Sequence, residues 1–201
     1  MSTEHDEQRH QQKMQKHKEK VDAAIARAQE ERGVLIVLTG NGKGKSSSGF
    51  GTLIRTLGHG YKAGLVQFIK GTWDCGEGKI LGQLPGLTHV VMGSGFTWET
   101  QSKAQDQKAF DEVWPQAKAM LADPEMRTVM LDELTYMLAY DLLSFEELQQ
   151  ALVNRPLQQN VIITGRGAPT ALRELADTVT DMKMEKHAFK AGVKAQAGIE
   201  W

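Results

Sequence analysis

The sequence predicts an α/β fold, a three-layer, mostly parallel sheet joined by right-handed crossovers. Three observations carry this. Short apolar runs recur at Val34–Leu38, Ala63–Ile69, Thr88–Met92, Arg127–Leu131 and Asn160–Thr164. Segments with apolar residues at helical spacing lie between them. Residues suited to ligand chemistry follow these runs, as they do where open α/β sheets gather ligands at the carboxyl ends of their strands.

Composition sets the outer bounds. With 201 residues, 40% of them apolar, the chain can bury one substantial core in the manner of soluble globular proteins. A formal charge of -1 gives no electrostatic case for nucleic acid as the main partner. No apolar run approaches the roughly 20 residues of a membrane span, and the N-terminus has no apolar signal segment, so no membrane association and a cytoplasmic location are expected. The lone Cys75 cannot form an internal disulfide or a thiolate metal site alone, which fits a reducing compartment.

Residues 1–32 lack Gly and Pro and mix acidic with basic side chains. Met14, Val21 and Ala28 recur every seven residues beside Ile25, a thin apolar face that fits either a weakly amphipathic helix or a mobile arm. The segment is therefore set apart as an arm, with a domain over 33–201. His5, His10 and His17 lie in this solvated stretch and read as solubilising.

The run Val34–Leu38 leads into Thr39-Gly-Asn-Gly-Lys-Gly-Lys-Ser46, a buried strand feeding a phosphate-binding loop and then a helix. Glycines let loop amides turn toward an anion, and the helix that follows directs the positive end of its dipole at the same point. Lys45 adds a charge for phosphate oxygens, and the Ser46 hydroxyl can ligate Mg²⁺. The usual G-x-x-x-x-G-K-[ST] spacing would place Gly at position 39, where this chain has Thr39. With this loop on the first strand, the expected topology is P-loop NTPase-like.

Phe50, Leu53, Ile54 and Leu57 give the next helix one apolar face, and Gly58-His-Gly60 ends it. The strand Ala63–Ile69 stops at Lys70 and Trp73; the tryptophan either faces a ligand or folds onto the core. Residues 74–86, rich in Gly and containing Pro85, read as an irregular connection. After Thr88–Met92, Phe96 and Trp98 sit in a glycine-flexed loop, where they either pack inward or await a planar apolar ligand. Residues 101–123 read as a helix with Phe110, Val113, Trp114, Ala117, Met120 and Leu121 on one face, and Pro115 predicts a kink or a break and restart.

The strand Arg127–Leu131 runs into Asp132-Glu133, an acidic pair that either caps a helix or supplies carboxylate oxygen to Mg²⁺ opposite Ser46. Ser144-Phe-Glu-Glu147 is a capping box opening a helix through Leu152. After Asn160–Thr164, Arg166 stands between two glycines, placed for phosphate or for a structural ion pair. Pro169 begins a helix with Leu172 and Leu175 inward, and the alternation of Met182 and Met184 with charged neighbours suggests a last edge strand.

Six blocks together resemble a known family: Thr39–Ser46, Val66–Trp73, Gly95–Trp98, Leu131–Met137, Val161–Gly167, and Lys186–Phe189 with Gly192–Gln196. In order along the chain, they resemble the ATP:corrinoid adenosyltransferases of bacterial cobalamin metabolism. The resemblance implies transfer of the 5'-deoxyadenosyl group of ATP to the cobalt of a reduced corrinoid, with release of triphosphate and no side chain acting as covalent catalyst. It implies that Gly40, Asn41, Gly42, Lys43, Gly44, Lys45, Ser46 and Ser47 hold ATP, with Arg166 as a further anion contact. Ser46 and Glu133, with Asp132 beside them, would serve Mg²⁺. Phe96 and Trp98 match aromatics that lie under the corrin and displace its lower axial ligand, which raises the cobalt potential enough for reduction by a flavoprotein or reduced flavin. ATP seated in the reverse sense along the loop, and a homodimer in which the N-terminal arm covers the partner subunit's site, are implied too. Ser46-Ser-Ser48 stands where threonines are common in the family, a conservative change in hydroxyl chemistry. A P-loop ATPase or kinase, and a nucleotide-sensing module, are the alternative readings of the same loop and acidic pair.

Overall fold

The computed structural model describes residues 2–69, 76–93 and 103–200. The chain divides into two compact units, Met1–Arg32 and Gly33–Trp201. In the first, Ser2–Arg27 forms a helix, α1, on whose surface Gln15 donates to Glu19 one turn on, at 3.0 Å.

Among the described residues, the second unit has six strands: β1 (Leu35–Thr39), β2 (Lys62–Gln67), β3 (Leu87–Val91), β4 (Met126–Asp132), β5 (Asn160–Thr164) and β6 (Thr178–Asp181). Every recorded pairing is parallel, in the order β3-β2-β4-β5-β1-β6. The helices are α2 (Lys45–Gly58), α3 (Gly76–Leu81), α4 (Lys103–Ala122), α5 (Thr135–Ala139), α6 (Phe145–Val153) and α7 (Thr170–Leu175). They are followed by a 3₁₀ turn at Phe189–Ala191.

Alternation along the strands sorts the core into two layers of contact. Leu35, Val37, Val66, Val129, Leu131, Val161 and Ile163 pack on one face with α4 and α6. Leu38, Ala63, Leu65, Met130 and Ile162 pack on the other with Phe50 and Leu53 of α2. The sheet is thus covered on both faces, the arrangement that all-parallel sheets require, and the three-layer α/β expectation is met.

Helix α2 lies close because Gly49 faces the sheet: a Cβ there would stand 2.5 Å from the Met130 methyl. Ile54, expected on the buried face, is 52% exposed, because Phe50 and Leu53 already fill the sheet-facing stripe. The six apolar residues predicted inward on α4 are all buried. That helix runs unbroken through Pro115, where a break and restart was an alternative. Pro115 is on the exposed side, where a displaced carbonyl can turn to water. The turn from α4 to β4 is tied down by Gln159, whose amide nitrogen donates to the carbonyls of Met120, Asp123 and Met126 at 3.0–3.2 Å.

Two further expectations change. Part of the stretch read as irregular, Gly76–Leu81, is helical, with Leu81 buried against the α2 layer. The final edge strand ends directly before the first of the alternating methionines, at Thr178–Asp181 and parallel to β1. Met182 hydrogen-bonds the end of β1, its N–H donating to Thr39 O at 2.8 Å, and the chain then turns against the glycine-rich loop that follows β1. The N-cap of α6 forms as read, Ser144 Oγ accepting from the Glu147 amide at 3.2 Å, while the Glu147 carboxylate accepts from Trp114 and Lys118.

Candidate active site

The loop after β1 turns sharply at two glycines. Gly40 has φ 100° and Gly44 φ 110°, values that side-chain-bearing residues rarely adopt, and α2 starts immediately after Gly44. The segment after β6 braces the loop from one side, since Gly42 N–H donates to Met182 O at 2.6 Å. A Cβ on Gly42 would meet the Met182 and Lys183 carbonyls at 2.7 and 2.8 Å. Lys43 pairs with Glu200 at 2.5 Å, so the C-terminal segment reaches the loop a second time. Thr39, which departs from the usual glycine, is fully buried, and its hydroxyl accepts from Ala168 N–H at 3.2 Å. It joins the end of β1 to the turn carrying Arg166.

Lys45 is 8% exposed and donates to Gly42 O at 2.8 Å. Burial pushes its ammonium below the ordinary lysine range, and Arg166 and Lys43 push it further. Glu133 is the strongest influence holding it up, with Asp132 weaker. The two lysines, the arginine and the acidic pair therefore share one electrostatic neighbourhood. The Tyr136 phenol is also pushed up, by burial first and then by Glu133.

The acidic pair divides in two. Asp132, the last residue of β4, is sealed from solvent, and its carboxylate accepts from Thr164 Oγ1 at 2.7 Å and Gln67 Nε2 at 3.0 Å. Glu133 follows in the left-handed region at φ 59°, a conformation that costs a non-glycine residue on the order of 1–2 kcal/mol. Its amide is held by Thr164 Oγ1 at 2.9 Å. Thr135 donates to Arg166 O at 2.8 Å, joining the same strand ends from the other side.

A cavity of about 660 Å³ opens beside the loop, lined by Gly40, Asn41, Arg166, Arg173, Lys183 and Lys190 among others, a mostly cationic wall relieved by Asp181. A second, of about 330 Å³, lies between Ser47, Glu77 and Gly198–Glu200. Among the described residues no group of three His, Cys, Asp or Glu side chains converges as a metal cluster. The Glu133 carboxylate and Ser46 hydroxyl are hard oxygen donors, a set that suits Mg²⁺ completed by phosphate oxygens and water.

Gly40 to Ser47, Asp132, Glu133 and Arg166 therefore gather at the carboxyl ends of the central strands, as read from the sequence. Lys70, Trp73, Phe96 and Trp98 lie outside the described residues. Sequence reasoning missed Gln67 and Thr164, whose only signal was their place at the ends of predicted strands. It also missed Arg173 and Lys183, read only as members of a helix and an edge strand, and Lys190 and Glu200, in a tail without a legible period.

Comparison with known proteins identifies the family. The family model described as ATP:corrinoid adenosyltransferase BtuR/CobO/CobP matches residues 31–201, and one described as Cob(I)alamin adenosyltransferase N terminal matches residues 1–25. The chain is 57% identical to a corrinoid adenosyltransferase of Escherichia coli (strain K12), covering 97% of this chain and 99% of that one. It is 55% identical to corrinoid adenosyltransferase CobA of Salmonella typhimurium, with the same coverage. A relative from Sinorhizobium sp. is 40% identical over 98% of this chain and 94% of its own length. The solved flagellar accessory protein FlaH of Methanocaldococcus jannaschii aligns with a TM-score of 0.44 at 14% identity, over 75% of this chain and 71% of that one, too slight a likeness to weigh. Loop, acidic pair and near-full-length identity converge on one conclusion: the chain is an enzyme of the ATP:corrinoid adenosyltransferase family.

Proposed function

We propose that the enzyme transfers the 5'-deoxyadenosyl group of ATP to the cobalt of a reduced corrinoid such as cobalamin, cobinamide or a biosynthetic precursor, in corrinoid synthesis and salvage. The Co(I) centre donates its electron pair to C5' of the ribose, the C5'–O bond breaks, and inorganic triphosphate leaves with the bonding pair. The substrate is the nucleophile, so the chain's task is to position two substrates and stabilise a polyanion as it departs. The observation that carries the reading is the buried Lys45 at the start of α2, within the electrostatic reach of the left-handed Glu133, of Arg166 and of Lys43.

Under this reading the loop amides and Lys45 hold the triphosphate, and Arg166 adds charge from the next strand end. Ser46 and Glu133, with Asp132 adjoining, would hold Mg²⁺, which neutralises phosphate charge when bound. Phe96 and Trp98 would supply the apolar face under the corrin, and a reduced flavin or flavoprotein the electron that makes Co(I). A homodimer in the cytoplasm, with residues 1–32 as an arm and 33–201 as the catalytic domain, completes the proposal. Among the described residues no helix is long and apolar enough to cross a membrane.

The test is product analysis. Protein with ATP, Mg²⁺ and chemically prepared Co(I) corrinoid should release one triphosphate per light-sensitive alkylated cobalt formed. ADP and phosphate released without corrinoid would support the hydrolase or kinase alternative instead. Phe96→Ala and Trp98→Ala should lower turnover at least about tenfold more with Co(II) plus reductant than with Co(I), the size typical of a lost ligand-tuning contact. Equal losses would remove the ligand-displacement role.

A further inference from the structure

A hydrogen-bonded chain runs crosswise beneath the site, over four adjacent strands of the sheet order β3-β2-β4-β5. It joins His89 on β3, Gln67 at the end of β2, Asp132 at the end of β4 and Thr164 at the end of β5. The donors fix its polarity. A backbone N–H can only donate, so Thr164 Oγ1 accepts from Glu133 at 2.9 Å, and its one proton goes to Asp132 Oδ1 at 2.7 Å. The Gln67 amide nitrogen can also only donate, so Asp132 accepts at Oδ2 as well, at 3.0 Å. Asp132 is thus an acceptor at both oxygens, one bonded from each neighbouring strand. Gln67 Oε1 in turn accepts a hydrogen bond from His89 Nε2 at 2.9 Å.

Asp132 is sealed from solvent and bonded within the protein at both oxygens, while Glu133, one residue on, is the acidic group that Lys45 feels most strongly. We propose that Thr164 is a positioning residue: anchored on the buried Asp132 carboxyl group, it grips the Glu133 amide, holds that residue left-handed and so aims its carboxylate at the cation site of the phosphate loop. Asp132 acts through this grip, by orienting Thr164, and Gln67 orients Asp132 in turn. The inference rests on the nucleotide-and-Mg²⁺ reading of the site given above.

The experiment compares wild type, Thr164→Ser and Thr164→Val by calorimetry, measuring ATP affinity in EDTA and the apparent Mg²⁺ affinity at fixed ATP. Partners that orient a metal ligand typically alter metal affinity about 10–100-fold, so Thr164→Val should weaken Mg²⁺ at least about tenfold while ATP affinity in EDTA moves less than about threefold. Thr164→Ser, which keeps the hydroxyl, should restore Mg²⁺ affinity to within about threefold. If Thr164→Val does not fold, Thr164→Ala is read by the same criteria. Wild-type Mg²⁺ affinity in the valine variant would overturn the inference alone, as would an equal loss of ATP affinity in EDTA, which marks general damage to the site. Wild-type protein whose ATP binding ignores Mg²⁺ would overturn the underlying reading and this inference with it.

Discussion

Alanine at three glycines around the phosphate loop should act in a fixed order, because each meets different surroundings. At Gly40, φ is 100° and a Cβ would lie 2.4 Å from Asp181 Oδ1, 2.5 Å from Met182 O and 2.8 Å from Met182 N. Two of those atoms are backbone, so the segment after β6 must move off the loop. The left-handed conformation costs about 1–2 kcal/mol, relief of the overlap about 1–3, and loss of the Gly42 to Met182 bond about 1, a total near 4 kcal/mol. At roughly 2–4 °C per kcal/mol for a domain of this size, Gly40→Ala should melt about 8–16 °C below wild type. Gly44 has φ 110°, but the nearest atom to its Cβ would be Met182 Sδ at 3.4 Å, an ordinary contact. Gly44→Ala should therefore carry only the conformational term, about 1–2 kcal/mol. Gly51, inside α2, would meet nothing within 4 Å, and its replacement by alanine should stabilise by about 0.5–1 kcal/mol. Thermal melts by circular dichroism read all three. If Gly40→Ala melted within about 2 °C of Gly44→Ala, the packing of Asp181 and Met182 against the loop, and the bracing role given to that segment, would be refuted.

Two further predictions concern titration. Lys45 is pushed below 10.5 mainly by burial, so in the alkaline range below that value the unfolded chain holds this proton more tightly than the folded one. Across that window the unliganded protein should gain stability as pH rises, while ATP affinity falls as the ammonium is lost; Lys45→Arg, which cannot titrate there, should flatten both limbs in melts and calorimetric titrations. Glu147 accepts from Lys118 at 2.9 Å and Trp114 Nε1 at 2.7 Å, bonds that lower its carboxyl below 4.5 in that order of size. Its stabilisation should be complete above 4.5 and vanish as pH falls through the lowered value, so acid titrations of Glu147→Gln and wild type should converge there, and a constant gap would count against the assignment.

Much of the candidate site was legible because the phosphate chemistry proposed for it demands particular residues at particular spacings. Glycines, a lysine and a hydroxyl directly after an apolar run allow few other arrangements, and an acidic pair after another run supplies the complementary charge. The N-cap of α6 and the inward face of α4 were equally readable, being set by contacts three or four residues apart. The position of β6 was not, since the alternation of Met182 and Met184 reflects a chain turned against the loop rather than a strand.

The sequence by itself determined the parallel α/β architecture, the glycine-rich loop after the first strand and the acidic pair Asp132-Glu133 at another strand end, all of which follow from local periodicity and side-chain chemistry. Only the tertiary structure decided that β5 stands between β1 and β4, that Asp132 is locked inward while Glu133 carries the left-handed turn, and that Gln67, Thr164 and the C-terminal segment belong to the site. Those arrangements depend on strands more than 30 residues apart aligning their ends, and a hydroxyl or amide at a strand end does not announce which neighbour it will meet.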